Sequence, residues 1–165
     1  MGMTARDELR FVAVSQHDPL AAPLLAELAV EYAGRYGVTE QRVMKWLLEE
    51  YPAEDFIPPE GALLIGLLDG LPVTGGAFRR FDDTRAELKR VWTDSRHRQR
   101  GYANAVLAEL EREIAARGYR RVYLTTGNRQ PEAEALYLSS GYTRLAGPLP
   151  TEGEAYPVAF EKALQ

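Results

Sequence analysis

Hydrophobic and polar positions along the chain change their period several times, and each change predicts a new element. Residues 9–14 alternate like a short strand. Residues 20–32 place leucines and a tyrosine at helical spacing, which predicts a first helix. A second helix is predicted to begin after Thr39, a residue type that caps helix N-termini, and to end before Pro52. The first third of the chain is therefore predicted as a strand followed by two helices.

From Ala62 onward the period becomes that of extended chain. An apolar run leads to Asp69–Gly70, a dipeptide typical of two-residue hairpin turns, and a second strand follows it. Asp82–Asp83 marks a second turn into a third strand of this group. These positions predict three consecutive antiparallel strands.

The apolar phase slips within the last of these strands, which is the fourth of the chain. Ala86 and Leu88 share one parity, whereas Val91 falls on the other. One extra residue in a strand has this effect, because side chains alternate between the two faces of a sheet. The slip predicts a bulge near Arg90, where the strand is broken or splayed.

The rest of the chain alternates between helix and strand. Residues 102–117 carry the clearest amphipathic stripe and end at Gly118. A strand is predicted over 121–126, and a short helix begins at Pro131 with Ala135, Leu136 and Leu138 inside. Two terminal strands are predicted near 142–146 and 155–162.

The resulting order is β-α-α-β-β-β-α-β-α-β-β, which predicts a mixed α/β (α+β) fold. Its central sheet is expected to be mostly antiparallel, splayed at the fourth strand, with helices on both faces. The chain has 165 residues, a size typical of one domain, and residues 1–165 are interpreted as a single domain.

The amino-acid composition argues against several classes of function. There is no cysteine, and His17 and His97 are isolated, so we expect no disulfide, no thiolate nucleophile and no metal site. The net charge of −4 argues against a nucleic-acid partner, since the basic cluster at 96–100 is short. No apolar run is long enough for a membrane span or a signal peptide, so a cytoplasmic protein is expected, with no membrane partner.

The junction between the fourth strand and the next helix is the best candidate for a binding site. A strand near residue 91 leads through an arginine-rich loop to a helix that starts at Gly101. A helix start presents unpaired N–H groups and favours phosphate, and Arg98 and Arg100 add positive charge. Neither a Walker-type loop nor a G-x-G-x-x-G pattern occurs, so the predicted anion is held in another way.

Arg98-x-x-Gly101-x-Ala103 resembles the Q/R-x-x-G-x-G/A signature of the GNAT superfamily of acetyl-CoA-dependent N-acetyltransferases. Residues 123–142 are similar to the later family segment that ends in L-Y-x-x-x-G-[FY]. The matching core spans 62–142, and the first third of the chain matches in its order of elements. The resemblance implies the GNAT fold and acetyl-CoA as co-substrate.

The resemblance also implies where coenzyme A binds. Its pyrophosphate would lie on the loop and helix start, formed by Arg98, Gln99, Arg100, Gly101, Tyr102, Ala103 and Asn104. The pantetheine arm would pair with the main chain of Val91, Trp92 and Thr93. Many relatives have an asparagine where this chain has Gln130, and Asn128 stands two residues earlier, so either amide is a candidate for binding the cofactor.

Two catalytic residues are implied in the same way. Tyr137 matches the tyrosine that protonates the departing thiolate in many members, and its alternative role is a packed aromatic. Glu87 resembles in position the glutamate that serves as base in histone-acetylating relatives. The alternatives are a strand charge paired to Lys89 or Arg90, and deprotonation by a chain of waters. His97 is a weaker candidate for the base, and a surface loop histidine is the favoured interpretation.

The family places its acceptor between the first two helices and the central strands. Five aromatic residues are candidates for lining such a pocket, although Trp46 has the spacing of a core residue: Tyr32, Tyr36, Trp46, Tyr51 and Phe56. Nearby acids would suit a cationic amine or form a solvated helix end: Glu49, Glu50, Glu54 and Asp55.

Two functions follow from the resemblance. The first is transfer of acetyl from acetyl-CoA to a primary amine, on a small molecule or a peptide, by direct attack. The second is a non-catalytic acyl-CoA binding or sensing module on the same fold. A homodimer is left open.

Overall fold

The computed structural model describes residues 9–50, 52–127, 131–151 and 156–164, with the backbone alone for Glu50. Seven strands occur in these residues: β1 (Leu9–Ala13), β2 (Ala62–Leu68), β3 (Leu71–Arg80), β4 (Arg85–Thr93), β5 (Arg121–Thr126), β6 (Thr143–Arg144) and β7 (Val158–Ala163). Four α-helices accompany them: α1 (Ala22–Tyr36), α2 (Glu40–Glu50), α3 (Tyr102–Ala116) and α4 (Pro131–Ser139). The order of elements agrees with the prediction.

The seven strands form one sheet in the order β1-β2-β3-β4-β5-β7-β6. The β4–β5 pair is parallel, and the other five pairs are antiparallel. A mixed, mostly antiparallel sheet with helices is therefore confirmed as the fold class. Within the described residues, no helix has the length and apolar character needed to cross a membrane.

Each face of the sheet carries its own hydrophobic cluster. On one face, α1 and α2 pack on alternate residues of the central strands, such as Leu63 and Ile65. On the other face, α3 and α4 pack on the intervening residues, such as Leu64 and Phe78. This alternation follows from the period of two in a strand that is buried on both sides.

The sheet splits between β4 and β5. Pairing between these strands covers Arg85, Ala86 and Glu87 on β4, opposite residues 121–123 on β5. Beyond Glu87 the two strands diverge, so one edge of β4 from Leu88 to Thr93 lies along an opening in the sheet.

A β-bulge coincides with this opening, as the phase slip predicted. Gly75 on β3 is opposite Trp92, whereas Ala77 is opposite Lys89, so β4 holds one more residue than β3 in this interval. Arg90 adopts the left-handed φ of 59° at this point. Its buried guanidinium donates to the carbonyl of Leu47 on α2 at 2.6 Å.

The prediction of which α4 residues face the core was wrong in part. Leu138 is 55% exposed and Ala135 is also exposed, whereas Tyr137 is buried. The helix has nine residues and apolar side chains around its whole circumference, so its sequence pattern does not distinguish the inner side. Tyr137 packs against Tyr142 and Phe160 at ring-centroid distances of 5.5 and 5.8 Å.

Candidate active site

The loop between β4 and α3 presents a row of free backbone donors. Gln99 and Gly101 both have left-handed φ angles, 62° and 82°, and turn the chain sharply into α3. Within the described residues, no protein group accepts a hydrogen bond from the N–H groups of residues 99–104. Several donors that converge at a helix start form a site for an anion.

Side chains on both sides brace this loop. The Asp94 carboxylate, which is buried at the end of β4, lies 2.5 Å from Nδ1 of His97. Glu27 of α1 accepts from the N–H of Ser95 at 2.7 Å, and Glu31 of α1 pairs with Arg98. Arg98 is thus tied to α1 and offers less charge to an anion than the sequence suggested.

Burial acts to raise the pKa of Asp94, but the hydrogen bond with His97 and the charge of Arg96 outweigh it. The net result is a pKa of Asp94 below its ordinary value. The carboxylate therefore stays charged and keeps its contact with His97. His97 is therefore a residue that braces the loop.

Three cavities lie in sequence along the opening of the sheet. The loop groove has a volume of about 630 Å³ and runs from the α3 start to α4. The central cavity, of about 80 Å³, shares five lining residues with it: Leu28, Tyr32, Val91, Ala133 and Tyr137. The aromatic cavity, of about 310 Å³, shares five with the central cavity: Tyr32, Trp46, Thr125, Thr126 and Tyr156.

Tyr137 of α4 stands where the loop groove meets the central cavity. Its hydroxyl has no hydrogen-bond partner in the described part of the chain. Burial raises the pKa of Tyr137 well above its ordinary value, and the nearby Tyr32 adds to this effect. The phenol is therefore protonated at neutral pH and can donate its proton to a group in either cavity.

Glu87 lies outside this line of cavities. Its side chain is 8% exposed and lines a separate cavity of about 210 Å³ with Asp55 and Arg79. Nε of Arg79 is 3.0 Å from Oε1 of Glu87, and Nζ of Lys89 is 3.4 Å from Oε2. Among the cavities of the described chain given above, none is lined by both Glu87 and Tyr137.

Lys89 connects the Glu87 carboxylate with the central cavity. It lines the central cavity with Tyr137, and its Nζ lies 5.9 Å from the ring centroid of Tyr156. Burial lowers the pKa of Lys89, while the charge of Glu87 acts in the opposite direction. The sequence analysis missed Lys89 as a site residue, although its spacing of two from Glu87 on one strand places both on the same face.

The aromatic cavity contains three of the five aromatic residues proposed for an acceptor pocket: Tyr32, Tyr36 and Trp46. Trp46 is half-buried, packs against the core on one side and meets Tyr156 edge to face at 6.0 Å. Phe56 instead belongs to the core, 2% exposed, and Tyr51 lies outside the described residues. Tyr156 was not predicted, since it is far from α1 and α2 in sequence.

Other predicted residues occupy different positions. Trp92 and Tyr102 have buried side chains, so their backbones are the groups that can meet a ligand in the loop groove. Arg100 is exposed and lies outside the described lining of the groove. Asn128 and Gln130 lie outside the described residues. Of the acids, Glu54 and Asp55 line the cavity of Glu87.

Known proteins share both the sequence pattern and the fold. Over 81 residues, 49% of this chain, the sequence is 33% identical to human N-acetyltransferase 8, and the match spans 34% of that protein. The chain thus matches about a third of the length of this curated relative.

Two solved structures superpose on nearly the whole chain. A GNAT-family acetyltransferase from Staphylococcus aureus MU50 has a TM-score of 0.76 at 13% identity, covering 95% of this chain and 99% of its own. The PaiA N-acetyltransferase of Thermoplasma acidophilum, solved with coenzyme A, has a TM-score of 0.72 at 16% identity, covering 94% and 99%. The model of the Acetyltransferase (GNAT) family matches residues 24–142, most of the chain, and the protein belongs to that family.

Proposed function

We propose that this protein transfers an acetyl group from acetyl-CoA to a primary amine by direct attack. The observation that carries the proposal is the line of three cavities with shared lining residues, in which Tyr137 lines both the loop groove and the central cavity. The loop groove would hold the coenzyme, the central cavity the thioester and the aromatic cavity the acceptor. Membership of the GNAT family supports acyl transfer from an acyl-CoA in general.

The coenzyme would use backbone groups more than side chains. The free N–H groups of residues 99–104 suit the pyrophosphate, because they converge at the positive end of the α3 dipole. The open edge of β4 from Val91 to Thr93 suits the amides of the pantetheine arm, which would add to the sheet as a strand does.

The chemical step requires one bond to form and one to break. The amine nitrogen attacks the thioester carbonyl carbon, the carbon–sulfur bond breaks and sulfur leaves with the electron pair. Tyr137 gives its phenolic proton to the departing thiolate, and the attacking amine loses one proton. The raised pKa of Tyr137 keeps the hydroxyl protonated in the resting protein, and because it also makes the phenol a weaker acid, the hydroxyl would act first as a hydrogen-bond donor to the developing thiolate.

We keep Glu87 as the proposed base for the amine proton, with a chain of waters as the alternative. The carboxylate is separated from the central cavity by Lys89. The Lys89 ammonium would therefore give one proton to Glu87 and take the proton of the amine in its place, or the proton would pass through water. Arg79 and Lys89 hold the carboxylate in one position between them.

The proposal is tested by incubating the protein with acetyl-CoA and a panel of amines. Release of coenzyme thiol is followed by absorbance, and the N-acetyl product is identified by mass spectrometry. Calorimetry with coenzyme A measures binding separately. Amine-dependent thiol release with an N-acetyl product is expected. Coenzyme binding without transfer to any amine would favour the acyl-CoA sensing module instead.

A further inference from the structure

The aromatic cavity has a mostly apolar lining, which favours an acceptor with an apolar part. Tyr36, Trp46 and Tyr156 provide large apolar faces, and Val38 and Val43 add aliphatic surface. A volume of about 310 Å³ is enough for the apolar body of a small amine. The cavity therefore favours an acceptor with an aromatic or aliphatic part that is removed from water on binding.

The charge at this cavity is positive. Arg42 is the charged residue among its described lining residues, and no carboxylate is found among them. The Arg42 guanidinium makes no ion pair with any described residue. A polycation would bring a second ammonium toward this arginine, and like charges repel at such distances. An acceptor with a carboxylate would instead form a charge-assisted hydrogen bond there.

The aromatic rings do not form an open cage for a cation. Tyr32 and Tyr36 meet edge to face at 6.3 Å, and Trp46 and Tyr156 meet in the same way at 6.0 Å. In the described chain the rings thus pack as two pairs, and Nζ of Lys89 already lies 5.9 Å from the ring centroid of Tyr156, whereas a cation cage presents several free faces around one point. This arrangement favours an apolar body over a second ammonium group.

Thr126 marks where the amine end would lie. Its Oγ1 is buried and has no hydrogen-bond partner in the described chain, and the residue lines both the central and the aromatic cavity. A buried hydroxyl without a partner is costly, and an incoming ligand group can provide that partner. An amine that donates one N–H to Oγ1 would sit at the entrance to the central cavity.

From these observations we infer that the acceptor is a primary amine that carries both an apolar body and a carboxylate. The amine would bind at Thr126, the apolar body among the tyrosines and Trp46, and the carboxylate at Arg42. This inference rests on the proposed function. It leaves the acids near residues 49–55 to the alternative given for them, a solvated helix end.

The test compares matched amines that differ in the carboxylate. L-phenylalanine is paired with L-phenylalaninamide, 6-aminohexanoate with hexylamine, and spermidine represents the polycations. We expect kcat/KM to favour the carboxylate member of at least one pair by about tenfold or more, in keeping with a charge-assisted hydrogen bond. In Arg42→Gln that ratio should fall toward one. Lys45→Gln, an exposed change on the same helix, should leave the ratio unchanged.

Failure of this inference and failure of the proposed function give different results. A preference for spermidine or for the uncharged members overturns the acceptor class, while acetyl transfer itself stands. If no amine is acetylated, the proposed function fails, and calorimetry with N-acetyl-L-phenylalanine and 6-acetamidohexanoate in the presence of coenzyme A decides the class. Binding that Arg42→Gln weakens supports it, and absence of binding overturns it.

Discussion

Arg79 on β3 and Glu87 on β4 are directly opposite each other in the sheet, with Nε of Arg79 3.0 Å from Oε1 of Glu87. The same guanidinium also donates to Asp55 at 2.9 Å. Arg79 therefore binds two carboxylates, those of Asp55 and Glu87. Glu87 also contacts Lys89, which lines the central cavity. This arrangement provides a matched pair of variants for testing the proposed base.

Glu87→Gln should lower kcat/KM at neutral pH by on the order of 10²-fold, as expected for loss of a general base. The loss should be smaller at high pH, where more of the amine is already deprotonated. Asp55→Asn is the control, because it removes the other carboxylate partner of Arg79 but leaves the contact between Glu87 and Lys89 untouched. A pH profile of Glu87→Gln that matches the wild type would exclude Glu87 in favour of water.

Tyr137→Phe keeps the ring between Tyr142 and Phe160 and removes the hydroxyl alone. We expect kcat to fall by roughly 10- to 150-fold, since the departing thiolate loses one charge-assisted hydrogen bond worth ~1.5–3 kcal/mol. Coenzyme affinity and thermal stability should hardly change. Steady-state and single-turnover kinetics provide the measurement.

Tyr142→Phe is the matched control for that variant. The Tyr142 hydroxyl donates to Glu111 at 3.0 Å, and the residue does not line the three cavities. Its loss should reduce stability and leave turnover unchanged. Wild-type turnover in Tyr137→Phe, with chemistry shown to be rate-limiting, would make Tyr137 a packing residue.

Gly101→Val should weaken coenzyme A binding by at least tenfold, or ~1.4 kcal/mol, because a side chain would stand where the pyrophosphate approaches the N–H groups. The space around Gly101 is open, and its φ of +82° adds strain for any other residue. Calorimetry measures the affinity.

Gly118→Val is a control that separates backbone strain from a blocked approach of the pyrophosphate. Gly118 also has a left-handed φ, +93°, with open surroundings, but it follows the far end of α3. Both variants should lose similar stability, and Gly118→Val should bind coenzyme A normally. Equal affinity in the two folded variants would contradict the placement of the pyrophosphate.

Asp94→Asn should destabilise the protein by about 1–2 kcal/mol at neutral pH, because the buried partner of His97 loses its charge. The pKa of Asp94 is lower in the folded protein than in the unfolded chain, so its stabilising effect is complete above the unfolded value, about pH 4. It is lost as the pH falls through the lower, folded value.

Urea unfolding of the wild type and Asp94→Asn over a pH series checks this expectation. The difference between the two proteins should shrink as the pH falls below about 4. Asp83→Asn removes an ion pair with Arg80 whose carboxylate is 92% exposed, and it should have little effect at any pH. A difference for Asp94→Asn that is constant with pH would contradict the assignment.

The sequence carried enough information for the order of elements and for the bulge. Both depend on local periodicity, and the change of parity between Leu88 and Val91 is visible without any tertiary contact. The arginine-rich loop and the helix start at Gly101 predicted the junction between β4 and α3 as a binding site, and the family resemblance then implied coenzyme A as its ligand.

The side chains of the site were harder to predict. Whether Leu138 or Tyr137 points inward depends on how α4 rotates against β7, and a helix that is apolar on all sides leaves that choice to packing. Glu87 and Lys89 share a face of β4, but which cavity each one enters depends on Arg79 from the neighbouring strand. Such choices are made by tertiary contacts.

The split in the sheet leaves few hydrogen bonds between β4 and β5. Three residue pairs, those of Arg85, Ala86 and Glu87, are the whole ladder between β4 and β5, so two half-sheets meet at a short seam. On the proposed function, a pantetheine arm along Val91–Thr93 would extend that ladder with its own amides. The coenzyme would then be a reactant and, for the length of one turnover, also an added strand on the open edge of β4.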